Sequence, residues 1–117
     1  MKRTRQEYQM HDFLQISTTV PTEQLARKIA ESLVASSLAA CVQVLGPVQS
    51  TYRWQGKIET AYEWVCTAKS NRRLFSEIEK RICQLHEYEC PEILATSIVA
   101  GSKSYLEWLE RETDYEG

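Results

Sequence analysis

A short segment around residue 86 brings together side chains that could bind a metal ion. His86, Glu87, Glu89 and Cys90 lie within five residues of one another, and imidazole with thiolate is a donor set that suits copper or zinc. A dedicated site needs three or four converging ligands, whereas a single turn of chain ensures only one or two. The alternative is that His86 binds a carbonyl at a helix end while the glutamates are solvated. Spacing alone favours this alternative and leaves His86 as the candidate ligand of a weak site.

No catalytic motif occurs in the sequence. It contains no GxSxG, P-loop, GxGxxG, HExxH or EF-hand pattern, and each of these marks a site that catalysis or binding would need. Cys90 and His86 could form a nucleophilic pair, but a spacing of four residues across a turn is poor evidence that the thiol reaches the imidazole, and nothing marks the thiol as acidified. The sequence therefore predicts a protein that is not an enzyme and has no organic cofactor.

Charge and composition exclude several other classes of protein. The 117 residues include 14 Lys and Arg against 16 Asp and Glu, and a dedicated nucleic-acid-binding protein usually has a basic surplus. No apolar run is long enough to span a membrane, and none follows the basic N-terminus as a signal peptide would require. The four cysteines form no CxxC pair. We therefore expect reduced thiols and a cytoplasmic protein without nucleic-acid or membrane partners.

The pattern of apolar residues predicts one domain with the order β-α-β-β-α-β and a closing helix. A frayed tail is expected over residues 1–11, the domain over 12–113 and a C-terminal tail over 114–117. Strands are predicted at 13–20, 41–54, 58–68 and 92–98, and helices from 23 to about 38, over 70–85 and near 105–109. This order indicates the ferredoxin-like α+β sandwich, with two helices on one face of an antiparallel sheet.

The second and third strands form a hairpin that is longer than one small domain can cover. A bend or bulge is expected at Gly46-Pro47 and a turn at Gln55-Gly56. The hairpin arms carry four large aromatic residues, Tyr52, Trp54, Tyr62 and Trp64. Cross-strand packing and an interface between subunits explain these aromatics equally well.

Three charged residues lie within or beside strands that otherwise look buried: Glu63, Lys69 and Glu92. An isolated charge in a protein interior is costly. These side chains are therefore exposed at an edge, paired with one another, or part of the lining of a cleft.

Several segments together resemble the CutA divalent-cation tolerance family. They are Leu38-Ala39-Ala40-Cys41-Val42, the run from Ser50 to Glu59 containing Trp54-Gln55-Gly56-Lys57-Ile58-Glu59, the turn His86-Glu87-Tyr88-Glu89-Cys90-Pro91-Glu92, and Tyr105-Leu106 with Trp108. The resemblance extends from about Phe13 to Glu112. It implies a very stable homotrimer with an architecture like that of the PII signalling proteins, in which long hairpins embrace neighbouring subunits.

The resemblance also implies a role in tolerance of divalent metals, copper above all. Some family members suggest copper ligands from a cysteine on the first strand and two consecutive histidines before the turn. The matching positions here are Ser17, Leu85 and His86, and neither leucine nor serine suits a soft metal ion. The sequence therefore predicts weak binding of copper or another divalent cation, with His86 as the one remaining ligand.

A cleft between subunits is the second site that the resemblance implies. The polar residues matching the family pattern there are Glu63, Lys69, Tyr88 and Glu92. We expect Lys69 to face a small anionic ligand, unless these residues form an interfacial ion-pair network instead. The alternative function is a PII-like trimer that binds a small ligand or nucleotide and has no metal role, although phosphate-cradling loops are not evident. An acylphosphatase is disfavoured because no phosphate loop follows the first strand, and a copper chaperone because MxCxxC is absent.

Overall fold

The computed structural model describes residues 12–117, so the tail predicted over residues 1–11 lies outside the described residues. Its elements are β1 (Phe13–Val20), α1 (Glu23–Ala35), β2 (Cys41–Trp54), β3 (Lys57–Asn71), α2 (Phe75–Leu85), β4 (Ile93–Ser97) and α3 (Lys103–Arg111), with a 3-10 turn at Arg72–Leu74. The four strands form one antiparallel sheet in the order β2-β3-β1-β4. The predicted ferredoxin-like α+β fold is therefore confirmed.

One face of the sheet carries the main core. Alternation along β1 directs Leu14, Ile16 and Val20 to this face, where α1 and α2 cover them. On α1 the buried side chains recur at Leu25, Ala26, Ile29 and Leu33, which is the helical spacing that the sequence predicts. The two helices therefore lie on the same side of the sheet.

Helix α1 ends at Ala35, three residues before the predicted end near Leu38. Ser37 adopts a positive φ of 63°, and the backbone N–H groups of Leu38 and Ala39 both donate to the carbonyl of Leu33. This is a left-handed C-terminal cap, in which the chain reverses to satisfy the last helical carbonyls. Leu38 continues the apolar pattern because it is buried in the core, not because it is helical.

The long hairpin of β2 and β3 has the predicted turn and irregularity. The strand register shifts between Leu45 and Val48, at the Gly46-Pro47 bend. Gln55 and Gly56 both have positive φ, 50° and 81°, as a two-residue hairpin turn with right-handed strand twist requires. Residues 51–60 are all exposed, and the described residues extend 51 × 25 × 22 Å. The end of the hairpin therefore projects away from the core.

Helix α3 packs on a second, smaller cluster on the opposite face of the sheet. Phe13, Ala40, Leu106 and Leu109 form this cluster, and the side chain of Phe13 points to the opposite face from Leu14. Within residues 12–117, no helix covers the remainder of that face, which we call the open face. No helix among residues 12–117 combines the length and the apolarity needed to cross a membrane.

Candidate ligand cleft

A cavity of about 760 Å³ opens between the second half of β2 and the loop that joins α2 to β4. This volume lies within the range of small-molecule pockets, roughly 300–1,000 Å³. Ten residues line it: Thr19, Ser50, Thr51, Tyr52, Trp54, Glu63, Tyr88, Glu89, Cys90 and Glu92. We refer to it as the cleft.

The strand register explains why the hairpin contributes most of the cleft wall. Glu63 pairs with Val48 across β2 and β3. Because side chains alternate along a strand, Ser50, Tyr52 and Trp54 point to the same face as Val48 and Glu63. The hairpin therefore presents one carboxylate and two aromatic rings on a continuous surface.

Glu63 is the buried polar group of the cleft, with 7% of its surface exposed. The Tyr88 hydroxyl donates a hydrogen bond of 2.8 Å to Glu63 Oε2. Burial, followed by this hydrogen bond and the charge of Glu63, raises the pKa of Tyr88 well above its ordinary value. The phenol therefore stays protonated at neutral pH and serves as the donor that a buried carboxylate needs.

His86 fixes the position of the loop that closes the cleft. Its Nε2 lies 2.7 Å from the backbone carbonyl of Thr19 on β1, and its Nδ1 accepts a hydrogen bond of 3.1 Å from the Tyr88 backbone N–H. These two contacts define the neutral tautomer with the proton on Nε2. The imidazole ring also lies against the Tyr88 ring, with centroids 4.7 Å apart. Both ring nitrogens thus have protein partners.

The metal donors that the sequence suggests do not converge. No group of three or more His, Cys, Asp or Glu side chains arranged to hold a metal ion is found within residues 12–117. Ser17 lies on β1 opposite Thr67, and Leu85 packs against the main core. The role of His86 as a weak metal ligand stays a prediction, and a metal ion would have to displace one of its two hydrogen bonds.

The structure brings three of the four predicted cleft residues together and separates the fourth. Glu63, Tyr88 and Glu92 all line the cleft, whereas Lys69 does not. Lys69 lies six residues from Glu63 along β3, a distance of about 20 Å at the usual rise per residue. Its Nζ donates a 2.7 Å hydrogen bond to Gln43 Oε1 on the neighbouring strand. An anion held by Lys69 would therefore lie outside the cleft.

Sequence reasoning missed several cleft residues, among them Thr19 and Ser50, and considered Tyr52 and Trp54 only as core or interface. Their two-residue spacing on β2 was a usable signal, because it places them on the face of Glu63 once the register is known. The register itself depends on the shift after Leu45. That shift reverses the face to which the β2 side chains after Leu45 point, and so decides which of them lie on the face of Glu63.

The fold and the cleft define a ferredoxin-like α+β protein with a small-molecule-sized cavity beside a projecting hairpin. The family model described as CutA1 divalent ion tolerance protein matches residues 14–112. The chain therefore belongs to the CutA divalent-cation tolerance family, as its sequence motifs predict.

Individual relatives agree with this assignment. The divalent-cation tolerance protein CutA of Thermus thermophilus is 41% identical over 95 residues, which cover 81% of this chain and 92% of the relative. The chloroplastic protein CutA of Arabidopsis thaliana is 36% identical over 84% of this chain, which spans 54% of that longer protein. The crystal structure of CutA1 from Shewanella sp. SIB1 matches with a TM-score of 0.87 and 36% identity, covering 92% of this chain and 99% of that one.

Proposed function

We propose that this divalent-cation tolerance protein acts in the cytoplasm as a non-enzymatic homotrimer with a PII-like architecture. Its task in this proposal is to bind a cation or another small ligand in the cleft, where a neighbouring subunit completes the wall. The single observation that carries the proposal is the projecting hairpin, because it has apolar surface that residues 12–117 leave uncovered.

The exposed apolar surface of the hairpin is large. Leu45 is 68% exposed on the open face of the sheet, and Ile58, which is 69% exposed, and Tyr62 are exposed on the opposite face. The radius of gyration of 15.4 Å exceeds the roughly 13 Å typical of a compact domain of this length. Extended apolar surface of this kind usually marks a protein–protein contact.

The open face of the sheet provides a second uncovered area. Leu45 pairs with Val65 across β2 and β3, and Leu94 on β4 lies opposite Ser17. Both leucines are exposed apolar side chains on this face. In addition, β2 and β4 are edge strands with unpaired backbone groups, and a second copy of the chain can pair with such an edge. Self-association would cover both areas.

The cleft supports the cation part of the proposal. Glu63, Glu89 and Glu92 contribute carboxylates to it, and Cys90 contributes a thiol. Oxygen donors suit hard divalent cations, while a thiol suits softer ions such as copper or zinc. The His86 nitrogens are already engaged, so we expect copper binding to be weak. The alternative function, nucleotide binding, requires basic side chains that bind the phosphates. No Lys or Arg is among the described residues that line the cleft.

The assembly is tested by sedimentation equilibrium of the purified chain. We expect a mass three times that of the 13.6 kDa chain at micromolar concentration. Ile58→Glu places a charge on the projecting hairpin and should reduce the mass, whereas the matched control Val34→Glu, at an exposed position of α1, should not. A compact monomer of the native chain at micromolar concentration would contradict the proposal.

The ligand part is tested by calorimetric titration with Cu(II), Cu(I) and Zn(II), on the native chain and on Glu63→Gln and His86→Ala. Weakened binding in Glu63→Gln would place the metal ion in the cleft. Equal affinity in His86→Ala and the native chain would remove His86 as a ligand. Titration with ATP and ADP should show no binding at micromolar concentration, and a clear signal there would favour the nucleotide alternative.

A further inference from the structure

The charge of the cleft is opposite to what an anionic ligand would need. Three of its lining residues are carboxylates, Glu63, Glu89 and Glu92, and none of the described lining residues is Lys or Arg. A concave surface of one charge sign focuses the electrostatic potential inside it. Lys69, which the family resemblance suggests as the residue facing an anionic ligand, lies outside the cleft and donates a hydrogen bond to Gln43. The cleft therefore attracts cations.

Aromatic rings make up much of the remaining wall. Tyr52 and Trp54 extend from β2, and Tyr88 faces them from the loop after α2. Trp54 is 52% exposed and Tyr88 is 39% exposed, so residues 12–117 of one chain do not fully cover either ring. The faces of such rings attract cations, most strongly when the cation is weakly hydrated and loses little solvation on binding. Ammonium groups that carry alkyl substituents meet this condition better than small metal ions do.

The arrangement of the carboxylates also distinguishes an organic cation from a metal ion. A metal ion requires several donors within about 2.0–2.6 Å of one point, and no group of three His, Cys, Asp or Glu side chains within residues 12–117 meets this need. The carboxylates are instead distributed around a cavity of about 760 Å³. This volume is far larger than a metal ion and suits a ligand that has both charge and apolar surface.

We propose that the cleft is a binding site for organic ammonium ions, in which the aromatic rings of Tyr52, Trp54 and Tyr88 contact the alkyl groups while Glu63 and its neighbouring carboxylates balance the charge. This inference rests on the proposed function, since it names the class of cation that the same cleft takes. Glu63 is central because it is buried, with the Tyr88 hydroxyl bound to its Oε2.

The experiment compares two ligands of equal shape and different charge. Choline and its neutral isostere 3,3-dimethylbutan-1-ol are titrated into the native, full-length protein by calorimetry, with butyrate as the anionic control. We expect choline to bind at least about tenfold more tightly than the neutral alcohol, and butyrate not to bind. Equal binding of choline and the alcohol, or preferential binding of butyrate, would overturn the inference.

Matched variants locate the binding. Glu63→Gln keeps the size and an acceptor for Tyr88 but removes the charge, and it should weaken choline binding about tenfold. Trp54→Leu should weaken it severalfold by removing a ring. Glu79→Gln, on the exposed side of α2, and Lys69→Ala should leave the affinity within twofold of the native value. The same loss in Glu79→Gln as in Glu63→Gln would show that choline senses only net charge, which contradicts a built site.

The outcomes separate this inference from the proposed function. If copper or zinc binds in the cleft and choline does not, the organic-cation inference fails while the proposed function stands. If neither binds and the protein is a trimer, the cation-binding part of the proposed function fails together with the inference. Sedimentation of each variant shows whether a loss of binding reflects a loss of assembly.

Discussion

The hydrogen bond between Tyr88 and Glu63 is the best-defined polar contact of the cleft, and its removal should have a measurable cost. In Tyr88→Phe the ring remains, but Glu63 Oε2 loses its donor at 2.8 Å. A hydrogen bond to a charged group contributes roughly 1.5–3 kcal/mol. Because Tyr88 is partly exposed, water can replace some of this interaction. We therefore expect Tyr88→Phe to lower the free energy of unfolding by about 1.5 kcal/mol.

A double-mutant cycle isolates this interaction from the general effect of each substitution. Tyr88→Phe, Glu63→Gln and the double variant are unfolded with urea at one fixed protein concentration, because association contributes to the stability of an oligomer. We expect a coupling free energy of about 1 kcal/mol between the two positions, since each substitution removes part of the same bond. Tyr105→Phe, a tyrosine outside the cleft, is the control and should show no coupling to Glu63→Gln.

Two results would refute this reasoning. A coupling free energy below about 0.3 kcal/mol, the usual error of additivity, would mean that the two side chains do not interact in solution. A Tyr88→Phe variant as stable as the native protein would mean that Glu63 finds another donor when the phenol is removed. In either case, the role of Tyr88 in holding the buried carboxylate of the cleft would have to be abandoned.

Three further predictions follow from other contacts. Gly46→Ala should destabilise the protein by about 1–3 kcal/mol in urea unfolding, because an added Cβ would lie 2.5 Å from the Trp64 ring; unchanged stability would show that the ring moves freely. Burial raises the pKa of the Cys66 thiol from 9.0 to about 11, so a thiol reagent at pH 8 should label exposed Cys83 long before Cys66, and equal rates would contradict this. Burial and then the contact with the Cys41 thiol raise the pKa of Tyr105 from 10.0 to about 12. The folded state therefore holds the phenol proton more tightly than the unfolded state does. The stability that this proton contributes is fully present below pH 10 and is lost between pH 10 and 12. Tyr105→Phe should flatten that part of the stability curve, and an unchanged slope would show that other groups cause it.

The elements of the fold could be predicted because they depend on local patterns. Leu25, Ile29 and Leu33 repeat at the helical period, and the segment from Ile58 to Ala68 alternates as a strand does. Gly56 has the conformational freedom that one position of a two-residue turn needs. These signals act within a few residues of one another and can be seen without knowledge of the neighbouring elements.

The cleft was only partly predictable, because it joins residues that are distant in the chain. The family resemblance named Glu63, Tyr88 and Glu92, but their spacing gives no sign that Tyr88 reaches Glu63, which is 25 residues away. Lys69 lies on the same strand and the same face as Glu63, so the alternation of side chains along β3 does not exclude it from the cleft. It lies outside the cleft because it is six residues farther along the strand.

The sequence by itself determined the type and order of the elements, since helical and strand periodicity and turn chemistry are local properties of the chain. It also marked the hairpin as too long for one core. Tertiary structure alone decided which polar groups meet: the register of β2 on β3 and the His86 contact with Thr19 bring the aromatic and acidic side chains together and leave Lys69 with Gln43. The physical reason is that a shift of one residue in register reverses the face of every side chain beyond it. Gly46-Pro47 indicates an irregularity in β2, but only the pairing with β3 shows which side chains then lie together.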